Sequence, residues 1–256
     1  RVRSSAASDV YKRQDIITLF PDMCEAFLGD SILGRARKRG HLQICCHHLR
    51  DHAYDRHQCV DDRPFGGGKG MLLMAEPMAD AIDSVLEETG NRPHIIYLSP
   101  QGQTLTQQRV RELAEMDHLL LLCGHYEGLD ERIIDTYVDE QISCGDYVLT
   151  GGELPAMILA DSVSRMLPGV LAEDICFEEE SHFSGVLEYP QYTRPAVWRG
   201  HAVPEVLLSG HHGKIAAWRR QQSLLRTRKN RPDLFQKLEL SREDRKLLEQ
   251  ADDPKE

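Results

Sequence analysis

The sequence predicts an α/β protein with a mainly parallel sheet, followed by a small all-helical C-terminal domain. Three observations carry this. Short apolar runs of strand length alternate with amphipathic stretches of helix length through residues 16–171. An acidic stretch at 172–188 breaks that rhythm. Beyond it, residues 189–256 turn basic and read as helical.

Residues 1–14 carry no apolar periodicity and no apolar core of a secretory signal, so they are expected to form a non-native or disordered extension outside the fold. The α/β domain is expected over 15–171. It opens with a strand at 16–20 closed by Pro21, a helix over 22–39 ending at Gly40, and a strand at 42–46. A polar region, 47–63, leads to the glycine loop 64–70. A helix at 74–88 has Gly90 just past its end, where a left-handed residue commonly closes a helix. A strand at 94–99 is closed by Pro100-Gln101-Gly102, a helix follows at 106–116, and the apolar run 119–123 reads as a strand buried on both faces. Two glycine-punctuated loops come next. The second leads into an apolar helix with Pro155 in its first turn, where a missing N–H costs nothing. Ligands of parallel sheets collect at the carboxyl ends of strands, and the 99–101 and Gly124 loops both fall there. After the acidic linker 172–188, the domain 189–256 is expected to be helical. Ile215, Trp218 and Leu225 lie near one face of a helix over 214–225, and Ser241 with Asp244 forms a capping box ahead of the last helix, 242–249.

At 256 residues, with 41% hydrophobic and 28% charged side chains, the composition is that of a soluble globular protein. No apolar run reaches the roughly 18–20 residues of a membrane helix. Seven cysteines in an irregular pattern point to a reducing, cytoplasmic setting rather than a disulfide scaffold. The net charge of −10 hides a polarity along the chain: residues 112–188 carry 18 acidic side chains against two basic ones, Arg132 and Arg165. Residues 206–232 carry seven basic side chains and no acidic one. A polyanion is drawn to this segment and repelled by the middle of the chain, which suggests nucleic acid. The competing reading is a solvated helical face.

Two other chemistries fit poorly. As a phosphate-binding P-loop, Gly66-Gly67-Gly68-Lys69-Gly70 lacks the first glycine, replaced by Arg63, and the hydroxyl after the lysine, replaced by Gly70. His41, Cys45, Cys46, His47, His48, His52, His57 and Cys59 crowd together, and His48 and His52 have zinc-ligand spacing. The adjacent cysteines, however, point to opposite faces of a strand, so buried cysteine and solvated histidine are expected there rather than a metal site.

Longer motifs carry more. Val60-Asp61-Asp62-Arg63-Pro64-Phe65-Gly66-Gly67-Gly68, Tyr97-Leu98-Ser99-Pro100-Gln101-Gly102, Cys123-Gly124-His125-Tyr126-Glu127-Gly128-Leu129-Asp130-Glu131-Arg132 and Gly145-Asp146-Tyr147-Val148-Leu149-Thr150-Gly151-Gly152-Glu153-Leu154-Pro155 resemble the TrmD family of bacterial tRNA (guanine-N1)-methyltransferases. Tyr189-Pro190-Gln191-Tyr192-Thr193-Arg194-Pro195 and Leu208-Ser209-Gly210-His211-His212 are similar to its carboxyl-terminal part. The resemblance runs in order from about residue 16 to about residue 248.

The resemblance implies a SPOUT-type α/β domain with a deep trefoil knot that holds S-adenosyl-L-methionine. It implies a homodimer with active sites at the subunit interface, and methylation of N1 of guanosine 37 in tRNA when another guanosine occupies position 36. For the cofactor it implies Gly124 and Cys144, Gly145, Asp146, Tyr147, Val148 and Leu149, with Tyr97, Leu98, Ser99, Pro100 and Gln101 completing the wall. Gly151, Gly152 and Pro155 join them, and Tyr126 and Glu127 fall near the methionine portion. Arg165 matches the arginine that stabilises charge developing on O6; its competing reading is an ion pair with Asp161. The family's general base is an aspartate, and that position holds Glu180 here, with Glu179 as the neighbouring fallback. Asp61 and the glycines after it are expected to meet tRNA or the target base, or else to form a tight turn. Lys214, Arg219, Arg220, Arg226 and Arg228 are expected to grip tRNA phosphates. The sequence does not locate a divalent ion such as Mg2+. The alternative function is an RNA-binding module of the same fold that has lost catalysis.

Overall fold

In the computed structural model, which describes residues 12–171 and 180–252, the chain divides into two compact units between Asp174 and Ile175. The first unit runs in chain order through β1 (Arg13–Thr18), α1 (Pro21–Leu28), α2 (Ser31–Lys38) and β2 (Gln43–His48), then a 3₁₀ turn at Leu49–His52. It continues through β3 (Asp61–Asp62), β4 (Leu72–Leu73), α3 (Ala75–Thr89), β5 (His94–Thr104) and α4 (Gln107–Ala114). It closes with β6 (His118–Cys123), α5 (Glu131–Tyr137), β7 (Glu140–Ser143) and α6 (Glu153–Ser164). Among the described residues, five strands form one parallel sheet in the order β2-β1-β6-β5-β7.

Alternation along the central strands explains the layering. Ile16, Ile96, Leu98, Leu119 and Leu121 point into one core, shared with α1, α2, α4 and α6. Ile17, Ile95, Tyr97, Leu120 and Leu122 point into the other, shared with α3 and α5. A sheet covered on both faces is the usual setting for parallel strands. No helix among the described residues is long and apolar enough to cross a membrane.

Several sequence expectations are corrected. β1 starts at Arg13, so residues 12–14 lie in the fold rather than in an extension; Arg13 is in register with Gln43 and with His118. Charge concealed this strand, because most of the groups that satisfy it are distant in sequence. Lys12 is buried and donates to the carbonyls of Leu113 and Met116 at the end of α4, and Arg13 pairs with Asp15 at 2.7 Å and with Glu88 at 2.8 Å. The helix expected over 22–39 is two helices. Asp30 interrupts it, its Oδ1 accepting from Ser31 N at 2.6 Å, and Gly34 lies so close to the first helix that a Cβ would stand 2.1 Å from the Gly29 carbonyl oxygen. Pro100 does not end its strand. Leu98 and Gln103 both register with Ile142, so residues 99–102 bulge out and β5 resumes beyond them. The β3–β4 hairpin, α5 and β7 are elements the sequence pattern left unassigned.

The second unit contains β8 (Val197–Trp198), β9 (His201–Ala202), α7 (Glu205–Leu208), α8 (His212–Asn230), α9 (Pro232–Phe235) and α10 (Arg242–Asp252). It is therefore not all-helical. Arg199 and Gly200, at φ 49° and 83°, make the two-residue turn that pairs β8 with β9. Val186, Leu224 and Leu248 form its core. Val186 falls within the expected linker 172–188, but Leu187 N donates to Thr227 Oγ1 of α8 at 2.8 Å, so this end of the segment belongs to the unit. Residues 172–179 lie outside the described residues. The buried face of α8 is Ser223, Leu224 and Thr227, while Ile215, Trp218 and Leu225 are only half-buried. The capping box forms: Asp244 N donates to Ser241 Oγ at 3.0 Å and Ser241 N to Asp244 Oδ2 at 3.2 Å.

Candidate active site

The bulged segment within β5 and the loops at the carboxyl ends of β6 and β7 build one cleft. Its centre is a crossing of backbones. Gly152 N donates to the Gly124 carbonyl at 2.8 Å, and His125 bridges Gly151 in antiparallel fashion. A Cβ on Gly152 would stand 2.8 Å from both Cys123 Cα and Gly124 N; one on Gly124 would stand 2.8 Å from the Tyr97 hydroxyl. Gly152 has φ −82°, so close approach, not left-handed backbone, is what requires glycine there. Burial pushes the Tyr97 hydroxyl up, keeping it a protonated donor beside this crossing.

The expected wall residues Tyr97, Leu98, Ser99, Pro100 and Gln101 line the cleft. So do Gly124, Tyr126 and Glu127, together with Cys144, Tyr147, Val148, Leu149, Gly151, Gly152 and Pro155. Two expected members do not. Gly145, at φ 157°, is a turn beneath Tyr147, whose N–H bonds its carbonyl at 2.8 Å, and Asp146 sits exposed at the tip of that turn. The sequence reading missed His125, Gly128, Ile142, Ser143 and Thr150, which fill the gaps between expected positions. Continuity of each loop is the signal that would have found them.

The cleft fits a nucleoside with a charged tail. Apolar Leu98, Ile142, Val148, Leu149 and Pro155 can cover the faces of a base, and the glycine crossing offers main-chain groups to its edge. Glu127 gives a carboxylate at the rim, opposite the β3–β4 hairpin. That hairpin is stitched to the loop: Glu127 N donates to Met71 O at 3.0 Å and Leu73 N to Gly128 O at 2.9 Å. Gly70, at φ 83°, lies where a Cβ would meet Glu127 Oε1 at 2.2 Å. Asp61 is half-buried on this hairpin and does not line the cleft.

Arg165 closes the C-terminus of α6, its N–H donating to Asp161 O at 3.0 Å. Burial raises the Asp161 carboxyl, and the charge of Arg165 partly offsets this. Spacing puts Arg165 on the same helix stripe as exposed Leu154 and Ile158, away from the residues lining the cleft of its own chain. Glu180 lies in the second unit, half-buried, one residue before an anchored turn in which Glu188 N donates to Ser181 Oγ at 3.0 Å. Glu179 lies outside the described residues.

Of the expected phosphate ligands, Lys214, Arg219, Arg226 and Arg228 are exposed on α8. The guanidinium of Arg219 stacks 4.7 Å from the centre of the Tyr189 ring. Arg220 departs from the expectation: it grips Asp244 of α10 with two bonds of 2.7 and 2.9 Å, which assigns its charge to packing.

A backbone-walled cleft beside the carboxyl edge of a parallel sheet, followed by a unit with a basic helix, defines the class: an α/β protein with its cleft where such sheets take their ligands. A family model described as tRNA (Guanine-1)-methyltransferase TrmD matches residues 12–237. The chain is 57% identical over 224 residues to the tRNA (guanine-N(1)-)-methyltransferase of Ruminiclostridium cellulolyticum, covering 88% of this chain and 96% of that one. It is 51% identical to the protein so named in Alkaliphilus oremlandii and 53% to that of Pasteurella multocida, covering 92% of this chain and 96% of the relative in both cases. The chain belongs to the tRNA (guanine-1)-methyltransferase TrmD family.

Proposed function

We propose that this protein transfers a methyl group from S-adenosyl-L-methionine to N1 of guanosine 37 in tRNA carrying guanosine at position 36. The observation that carries this reading is the Gly124–Gly152 crossing, a cradle that any Cβ would fill, beside the bulge of β5 and at the carboxyl ends of β6 and β7. Bound there, S-adenosyl-L-methionine supplies an electrophilic methyl group. The loops 97–101 and 147–149 would hold its base, and Tyr126 and Glu127 its charged portion. The crossing of the 144–152 loop over the end of β6 fits the trefoil knot of SPOUT enzymes.

Guanine N1 carries a proton that must leave as the methyl arrives. Glu180 takes that proton, having the family aspartate's carboxylate one methylene further out, and Arg165 balances the charge gathering on O6. Arg165 lies outside the cleft lining of its own chain, which supports completion of each site by a second copy. A suitable face exists. Phe20, Met23 and Phe27 expose one apolar side of α1, and Leu154 and Ile158 extend it onto the neighbouring α6. The ring of Phe20 lies 5.4 Å from that of His125, so this face borders the cleft. The exposed cations of α8 would engage tRNA phosphates, and a tRNA substrate suits a cytoplasmic enzyme.

The deciding experiment is transfer of radiolabelled methyl to unmodified tRNA with guanosines 36 and 37, with and without chelator. Glu180→Gln is expected to lower turnover by about 100-fold or more while cofactor binding is kept. Near-normal turnover removes Glu180 from the role. Glutamate in place of aspartate favours one second reading, an RNA-binding module without catalysis. Binding of tRNA with no label transferred by the wild type would establish that reading, and label lost to chelator would establish a divalent requirement.

A further inference from the structure

We propose that His125 and Glu153 form a side-chain clasp that holds the Gly124–Gly152 crossing closed, making His125 a positioning residue for the methyl donor. The last clause rests on the reading of the cleft given above; the clasp itself does not.

Glu153 is a buried carboxylate at the first position of α6, only 4% exposed. Its Oε1 accepts from the Thr18 hydroxyl at 2.8 Å, which fixes the group against the end of β1. Its Oε2 stands 2.4 Å from where a Cβ on Gly151 would be. His125 Nδ1 stands 2.7 Å from the same point. The two atoms thus converge over the one residue that pairs with His125 across the crossing, and only glycine leaves room for both.

His125 Nδ1 is buried and makes no hydrogen bond, an uncommon condition for a buried polar atom. A carboxylate oxygen only accepts, so Nδ1 must carry the proton to meet it. Phe20 and Tyr126 hold the imidazole edge-on from two sides, at 5.4 and 4.8 Å between ring centres, so the ring has little freedom to turn elsewhere. Nδ1 and Oε2 stand beyond hydrogen-bond distance of each other, and turning the Glu153 carboxylate toward the held ring would close Nδ1–H···Oε2. With that bond made, Thr18 on β1, Glu153 on α6 and His125 after β6 are joined across the crossing. Gly151 and Gly152 are then pinned to the cleft wall.

Two variants separate the clasp from general packing. His125→Asn puts an amide donor where Nδ1 stands, one bond beyond Cγ; His125→Gln puts it one bond further out, where Nε2 stands. The first readout is hydrogen exchange of the Gly152 amide, which bonds the Gly124 carbonyl. We expect about tenfold faster exchange in His125→Gln and near-wild-type exchange in His125→Asn, with the β6 amides unchanged in both. The second readout is S-adenosyl-L-methionine affinity by calorimetry, expected to fall about tenfold in His125→Gln and by less than about twofold in His125→Asn. Equal behaviour of the two variants in the exchange measurement, whether both are altered or neither is, overturns the clasp. Wild-type protein that fails to bind S-adenosyl-L-methionine overturns the reading of the cleft, while the exchange comparison still decides the clasp.

Discussion

Gly152 and Gly66 are both motif glycines, yet they answer to different physics. Gly66 adopts φ 83° with open space around it, so backbone conformation selects it. Gly152 has ordinary backbone angles but no room, its Cβ position lying 2.8 Å from main-chain atoms of Cys123 and Gly124. Main chain cannot yield as a side-chain end can. Gly152→Ala is therefore expected to destabilise the first unit by about 1–3 kcal/mol through overpacking and to lower cofactor affinity at least about tenfold. Thermal unfolding and calorimetry of that variant measure the two effects. At this scale the sequence was a good guide to which loops meet, because glycine runs mark places where backbone approaches backbone. Only the continuity of its loop points to His125, since one histidine has no pattern of its own, and the motif includes Gly145 and Asp146, which do not line the cleft. Adjacent residues in a turn face different ways, and a contiguous motif does not disclose which.

Strand β1 shows what the element scale adds. Its N-terminal half reads as charged and irregular, yet it is an inner strand of the sheet, paired on both sides. The reason is Asp15, fully buried, whose carboxylate is bonded by Arg13 from its own strand and lies 2.6 Å from His47 Nε2 on β2 and from His118 Nε2 on β6. Burial alone would raise the Asp15 carboxyl, but the hydrogen bonds from His118, His47 and Arg13 outweigh it and hold it well below the usual carboxylate range. An unfolded aspartate takes up its proton around pH 4, whereas the folded one stays ionised there. The native state then binds fewer protons, so this stability is present above about pH 4 and is lost as pH falls through the folded pKa. Asp15→Asn is expected to cost about 3 kcal/mol at pH 7 and to show a shallower further loss below about pH 4 than the wild type. Urea unfolding across pH reads both. The same reasoning explains what was legible among the elements. Apolar strands and the Ser241–Asp244 cap could be read because their signals are local. The start of β1, the resumption of β5 after Pro100, and the short α5 and β7 could not, because partners distant in sequence decide them.

The whole chain carries its charge unevenly, and the second unit shows that a run of basic residues is not one surface. The sequence gives no means of telling Arg220 from its neighbours, since ion pairing with Asp244 depends on how α10 folds back on α8. Exposed Lys214 and paired Arg220 should therefore fail in different ways. A phosphate contact releases condensed counterions, so each one lost lowers the slope of log affinity against log salt by roughly 0.7–0.9. Lys214→Ala is expected to weaken tRNA binding, reduce that slope by about this amount, and leave unfolding unchanged. Arg220→Ala is expected to leave the slope intact and to destabilise the second unit by about 1 kcal/mol; the arginine side of the pair is part-exposed, but Asp244 stays buried without its partner. Filter binding across a salt series, alongside denaturant unfolding of both variants, makes the comparison. A reduced slope in Arg220→Ala would return that residue to the tRNA-binding face, and an unchanged slope in Lys214→Ala would show that the first turn of α8 lies off the path of the phosphates.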